Sequence, residues 1–209
     1  MYIPTLEGII DRRLLVNYRV DPDYLQRLLP DPFRPKRIHG MGIAGICLIR
    51  LKQIRPRMLP ALLGFSSENA AHRIAVEWEE HGHSREGVYI PRRDTSSQFN
   101  TLIGGRLFPG VHHHASFHVT EEDGSFSVHI TSDDGETRVA VEAHLASHLP
   151  EHSIFASLEE ASAFFEYGSL GYSVTKQAGK LDSLELRCRD WKVEALQVTK
   201  AQQNSIARS

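Results

Sequence analysis

The sequence predicts a β-rich α+β fold in one domain. Two patterns carry that expectation: most of the chain alternates apolar and polar residues with period two between turn residues, and helical patterning is confined to short segments. The third observation is size, since 209 residues with 41% hydrophobic content can bury one substantial core.

The first strand is read in RRLLVNYRV, where Arg12, Leu14, Val16, Tyr18 and Val20 share one face and Arg13, Leu15, Asn17 and Arg19 the other. Arg12 therefore lies in phase with the apolar face. In DPDYLQRLLP, Asp21 suits a helix cap, Pro22 the first helical position, and Pro30 the stop. The run MGIAGICLIRLKQI is apolar on both faces before turning amphipathic, which predicts a central strand; its Gly42 and Gly45 permit bending or close approach. HRIAVEWEE and REGVYIPRR form a hairpin about HGHS, with His72, Ile74, Val76 and Trp78 on one face. Asp94 or Thr95 is expected to cap a short helix through SSQFNTLIGGRLF, which sets Phe99, Leu102, Ile103 and Arg106 on neighbouring helical positions.

From Val111 to Ser147, the turn signals EEDG and DDGE divide the chain into a three-stranded meander. A four-residue loop at Glu121–Gly124 pairs Phe117 with Val128 and Val119 with Phe126. A two-residue turn at Asp134-Gly135 pairs Ile130 with Val139 and Val128 with Val141. One face is apolar, and the other carries His114, Ser116, His118, His129, Glu142 and His144. Beyond it, SLEEASAFFEYG reads as a helix with Ser157 at the cap, Glu160 completing a capping box and Gly168 as a stop. Short strands follow in GYSVTK, LDSLELRCRD and KVEALQVTK. Residues 1–199 are read as the domain and the polar stretch 200–209 as a frayed tail.

A formal net charge of −2, with basic residues scattered among acids, argues against a nucleic-acid partner. Cys47 and Cys188 are far apart and form no zinc-type spacing, so reduced thiols and a cytoplasmic location are expected. No segment approaches the ~20 apolar residues of a spanning helix, so no membrane partner is expected.

The stretch FPGVHHHASFHV holds three consecutive histidines. Alternation along a strand places His112, His114 and His118 on the polar face and His113 with Ala115, Phe117 and Val119, so the triplet is not one metal site. His112, His114, His118, His129 and His144 are read as a solvated face, and no metal or cofactor is expected. His113, on the apolar side, would titrate near neutrality and suit acid or base work.

The segments RRLLVNYRVDPDYLQRLLPDPF, SSENAAHRIAVEW, GVYIPRRDTSSQ, RLFPGVHHHASF and FEYGSLGYSV, spread over residues 8–199, resemble the acetoacetate decarboxylase-like superfamily, in particular its uncharacterised bacterial branch, the domain of unknown function 2071 family. The resemblance implies an antiparallel β-barrel or cone with short flanking helices and an internal cavity. It further implies oligomeric assembly. Decarboxylases of this superfamily use adjacent lysines, one of which forms an imine with a keto acid. The comparable segment here, FPGVHHHA, has none, and His113 and His114 stand opposite the lysine pair. Glu68 matches the family's substrate-side carboxylate, and Arg12 falls within one residue of its substrate-side arginine. A second family acid is lost in the Gly/Ala-rich GMGIAGIC.

The expected function is therefore a small-molecule cavity for a carboxylated or carbonyl-bearing ligand. Any chemistry would be imine-independent lysis, hydration or hydrolysis, with His113 as acid or base, Arg12 holding an anion and Glu68 orienting or polarising. Phe108, Phe117 and His114 are expected to bind the ligand. The rivals are a non-catalytic sensor or carrier and a metal-dependent enzyme on the histidine face.

Overall fold

The structure is a computed structural model that describes residues 5–103, 110–166, 169–188 and 191–205. Its long strands run β1 (Leu6–Val20), then, after helix α1 (Pro22–Gln26) and the two-residue strands β2 (Arg34–Pro35) and β3 (Arg37–Ile38), β4 (Met41–Pro56), β5 (Phe65–Glu80) and β6 (His83–Thr95). Helix α2 (Gln98–Ile103) leads toward the meander β7 (His112–Glu122), β8 (Ser125–Ser132) and β9 (Thr137–Ala146). Helix α3 (Leu158–Glu166) is followed by β10 (Leu170–Val174), β11 (Leu181–Glu185) and β12 (Ala195–Ser205). Among the described residues, no helix is long and apolar enough to cross a membrane.

These elements form one mixed sheet with the path β1-β4-β5-β6-β7-β8-β9-β12. The β-rich α+β class is as expected, and so is the central place of β4 between β1 and β5. The ring of ladders stays open, because β1 and β12 end the path. The sheet nevertheless curls onto itself. Leu14 and Val16 of β1 share a core with Ile46 and Leu48 of β4, Val128 and Ile130 of β8, and Val139 and Val141 of β9. Burial of that one face is what brings the two ends of the path together.

Local signals act as read in the sequence. The Asp21 carboxylate accepts from the Asp23 and Tyr24 N–H groups at 2.8 and 3.1 Å, capping α1. In α3, Ser157 Oγ accepts from Glu160 N at 3.2 Å, while the Glu160 carboxylate reaches back to Ala156 N at 2.6 Å. Gly168 lies outside the described residues. At α2 the cap differs: Ser97 Oγ accepts from Asn100 N, and Thr95 Oγ1 from Ser97 N. Asp94 is fully buried and engaged elsewhere. Arg106 lies outside the described residues.

The β8–β9 register is as expected, with Ile130 opposite Val139 and Val128 opposite Val141. The β7–β8 register is shifted by two residues, with Phe117 opposite Ile130 and Val119 opposite Val128. Asp123 and Gly124 both hold positive φ, at 46° and 75°, so the loop is the tight two-residue turn that suits strand twist, not a four-residue loop. A two-residue slip keeps every side chain on its face, so the apolar stripe survives. β12 pairs with β9 through Ser205, so backbone pairing extends into the stretch read as a tail. Residues 206–209 lie outside the described residues.

Candidate functional site

Each long strand has two faces. The core face carries Leu14, Val16, Ile46, Leu48, Ala70 and Ala115, and its polar residues gather in two ion networks. In the first, Arg12 is 7% exposed and donates to Glu68 at 2.5 Å and to Glu121. Arg50 reaches the same two acids at 2.5 and 2.7 Å and Asp11 at 3.4 Å, while Lys52 meets Asp11 at 2.8 Å. Three cations and three carboxylates close on one another and tie β1, β4 and β5 to the far end of β7. Arg12 and Glu68 thus come together as expected, but each already has a full-charge partner.

The second network centres on Asp94, which is 0% exposed. It accepts from Arg92 at 2.7 Å, approaches His72 Nε2 at 3.2 Å and accepts from Thr137 Oγ1 at 3.3 Å. Burial opposes its ionisation, yet the bonds from His72 and Arg92 hold its pKa below the usual carboxylate range. Arg92 continues to Asp134 at 2.9 Å and to Glu136 at 2.9 Å. Burial works against the guanidinium charge, but Asp94 and Asp134 outweigh it and raise its pKa. His113 joins here, with Nδ1 3.0 Å from Asp134, and its side chain is 36% exposed. It belongs to the core face, as the alternation requires, and shares no ion pair with Arg12 or Glu68.

The other expected ligand residues are dispersed. His114 pairs with Asp133 at 2.7 Å. Phe117 packs half-buried against the core cluster. Phe108 lies outside the described residues. Among the described residues, no three His, Cys, Asp or Glu side chains converge to hold a metal.

The opposite face of β1, β4, β5 and β6 is covered by α3 and the segment around Trp191, and its chemistry differs. Arg13, Asn17, Gly45, Cys47, Arg73 and Arg93 share it, in rows set by the pairings Asn17–Gly45–Arg73 and Leu15–Cys47–Ala71–Arg93. Arg73 is 7% exposed; it donates from Nη2 to Asn17 Oδ1 at 2.7 Å, and its guanidinium lies 5.0 Å from the Phe165 ring centre. Arg93 donates to Ser173 Oγ at 2.9 Å. Arg13 lies 5.4 Å from the Trp191 ring centre, and its Nε is buried without a hydrogen-bond partner. Trp191 itself is fixed by its Nε1 donating to Ser162 Oγ at 2.8 Å.

Among the described residues, none of these three arginines has a carboxylate partner. Burial pushes the pKa of Arg73 down to about 10, with the nearby charge of Arg13 depressing it further against the Cys47 thiol. Burial likewise pushes Arg93 down to about 10. His112 sits opposite Arg93 across the β6–β7 ladder. Burial, reinforced by the Arg93 charge, pushes its pKa down to about 4. The expectation of a solvated face therefore fails at His112, because this end of the face is roofed. Gly45 has no room for a side chain: a Cβ there would stand 2.1 Å from the Val16 carbonyl oxygen. No acid can occupy that place in the row beside Arg73.

A cavity of about 980 Å³ opens between β1 and the β9–β12 end of the sheet. Arg13, Asn17, Phe165 and Trp191 line it, as do Arg12 and Glu121 of the first network. A narrow cleft at Arg73, Lys36 and Phe164 adjoins it and shares Asn17, Ile43 and Phe165.

The family model of the uncharacterized conserved protein DUF2071 matches residues 10–209. The chain belongs to the DUF2071 family. Among solved structures, this DUF2071 protein is similar to an acetoacetate decarboxylase from Legionella pneumophila, with a TM-score of 0.53 and 13% identity over 94% of this chain. It spans 66% of that decarboxylase's length. It is also similar to the enduracididine biosynthesis enzyme MppR complexed with pyruvate, with a TM-score of 0.55 and 14% identity, covering 88% of this chain and 70% of that one. A third likeness is to the same enzyme with HEPES buffer bound, with a TM-score of 0.54 and 12% identity, over 92% of this chain and 85% of that one. These likenesses establish an acetoacetate decarboxylase-like fold. No curated protein matches the chain.

Sequence reasoning selected Arg12 and passed over Arg13, Arg73 and Arg93. A signal was present at Arg73, which stands in a strand flanked by Ala71 and Ala75, small residues that leave room for a long side chain lying across a covered sheet.

Proposed function

We propose that this DUF2071 protein binds a small carboxylated or carbonyl-bearing molecule in the cavity beside β1, with the ligand's anionic group on the Arg13–Arg73 side. The observation that carries this reading is Arg13, half-buried with no carboxylate partner among the described residues and bordering a cavity large enough for a metabolite, with the buried and likewise unmatched Arg73 beside it on the same face. An unpaired buried guanidinium is costly, and folds keep such groups chiefly where a ligand completes them. The pyruvate complex of the similar MppR agrees with a keto-acid-sized ligand.

Arg12 and Glu68 on this reading fix the shape of the sheet, since their charges are already matched. Binding needs no lysine. Lys36 and Lys192 reach the cavity borders, and Lys36 is held by Glu86 at 2.5 Å. Titration calorimetry with pyruvate and acetoacetate, followed by borohydride trapping, tests both parts. Saturable binding that Arg13→Gln weakens at least tenfold is expected, with no covalent adduct. Binding unaffected by Arg13→Gln, or no binding of any small acid, would sink the proposal, and a stable adduct would overturn its imine-free part.

A further inference from the structure

The wall of the cavity beside β1 is sorted by polarity. On α3, Leu158, Ala161, Ser162 and Phe165 occupy the i, i+3, i+4 and i+7 positions of one helical face, and all four line the cavity. Ser162 Oγ holds Trp191 Nε1 at 2.8 Å, and the Trp191 ring centre lies 5.4 Å from the Arg13 guanidinium. One indole therefore ties the apolar face of α3 to the cation. Val141 and Ala143 of β9, both buried, and Leu196 of β12, half-buried, add further wall without a polar side-chain group.

The charged side chains that border the same space fall into three kinds. Asp11, Arg12 and Glu121 are matched within the first ion network. Arg19, His152, Lys192 and Glu194 are exposed to water. Arg13 is half-buried, its Nε is buried without a hydrogen-bond partner, and it meets no carboxylate among the described residues. The cavity thus offers one unmatched cation beside an extended apolar surface.

A ligand of pyruvate's size would answer Arg13 and leave that apolar surface against water. At about 980 Å³ the cavity stands at the upper end of the ~300–1,000 Å³ that enclose drug-sized molecules, far beyond what pyruvate fills. A long hydrocarbon body would remove the α3 face and the β9 and β12 side chains from water, and the gain grows with every methylene buried.

We infer that the ligand is a monocarboxylate with a long apolar body, of the medium-chain fatty acid class, its carboxylate on Arg13 and its chain along the apolar face of α3. This rests on the proposed small-acid cavity and narrows its ligand class. Pyruvate then stands for the head group alone.

Calorimetric titration of the full chain at constant pH and ionic strength tests it, with butyrate, hexanoate and octanoate set against pyruvate and octanol. Saturable binding is expected to tighten by about threefold for each added methylene. Octanoate should bind at least tenfold more tightly than octanol, and Arg13→Gln should remove that advantage. Leu158→Gln should lower the ratio of octanoate to pyruvate affinity at least fivefold. Circular dichroism confirms that the variants fold, and Ala143→Met, which adds bulk to the wall, carries the same readout if Leu158→Gln does not fold. Affinity independent of chain length, octanol bound as tightly as octanoate, or a length dependence that the wall variants leave intact would overturn the inference; pyruvate binding weakened by Arg13→Gln would still leave the cavity reading standing. Binding of no acid of any length would remove the cavity reading itself.

Discussion

Arg12, Arg50 and Arg92 on the core face each end on at least two carboxylates, whereas Arg13, Arg73 and Arg93 on the covered face meet an amide, a hydroxyl and aromatic rings. The two sets use the same residue type, in neighbouring strands, at comparable depth. What differs is whether the fold supplies the counter-charge. Matched networks hold a structure together only as firmly as their desolvation allows, so their first role is to fix which strands meet. Unmatched cations do no such holding. They cost folding free energy, and their retention points to a partner from outside the chain.

The largest effect should come from breaking a matched network at its centre. Asp94→Ala removes the acid that Arg92 and His72 share at a fully buried site, and a loss of about 3–5 kcal/mol in urea unfolding is expected when the centre of such a network is lost. A loss below about 1 kcal/mol would mean that Asp134 and Glu136 already satisfy Arg92, and the contrast between the faces would be weaker than drawn.

The opposite sign is expected on the covered face. The pKa of Arg73 is about 10 when folded, against an ordinary arginine value of 12.5, so its charge opposes folding at every pH below about 10 and is relieved as the pH rises from there toward 12.5. Arg73→Met should therefore raise the stability of the unliganded protein at pH 7 by up to about 3 kcal/mol while abolishing stabilisation by added ligand. A variant that loses stability and keeps its ligand response would show Arg73 to be a structural residue like Arg12.

These two faces explain what the sequence could and could not convey. Strand alternation, the Asp21 and Ser157 caps and the Asp-Gly turn are local signals, and they place α1, α3 and the meander. The two-residue slip at Asp123-Gly124 came from reading EEDG as one loop when its last two residues alone make the preferred hairpin turn. Phase with apolar neighbours singled out Arg12, and that same phase puts it among Glu68 and Glu121, where it is neutralised. Alternation puts Arg13 on the face opposite Arg12 and makes His112 read as solvated, and both placements follow correctly from their own strands. Only the arrival of Trp191 and α3 over it, and of β10 beside β6, from far along the chain turns that face into an interior, and no local pattern announces it.

His112 offers a gentler probe of the same roofing. Its folded pKa is about 4 against an ordinary value of 6.5, so the unfolded chain takes up its proton first as the pH falls. The stability it contributes is complete above pH 6.5 and is lost between there and pH 4, amounting to about 2 kcal/mol after allowance for its partial exposure. Asp94 and Asp134, both held below the usual carboxylate range, titrate lower and leave that window clear. Stability measured by urea unfolding from pH 7 to pH 4.5 should fall in the unaltered protein and flatten in His112→Phe. An unchanged slope would show the face to be open to water.

The smallest effect should fall on His113, and it sharpens the comparison from the other side. Its side chain is about a third exposed and its contact is Asp134, an acid that Arg92 and Ser132 already satisfy. An ion pair so placed contributes within about 1 kcal/mol. His113→Ala should leave the melting temperature and the affinity for small acids nearly unchanged, because neither Arg13 nor Arg73 lies on its face of the sheet. If small-acid binding instead collapsed in His113→Ala while Arg73→Met retained it, the ligand would belong to the core face, and the matched networks around Arg92 and Arg12 would be the binding machinery.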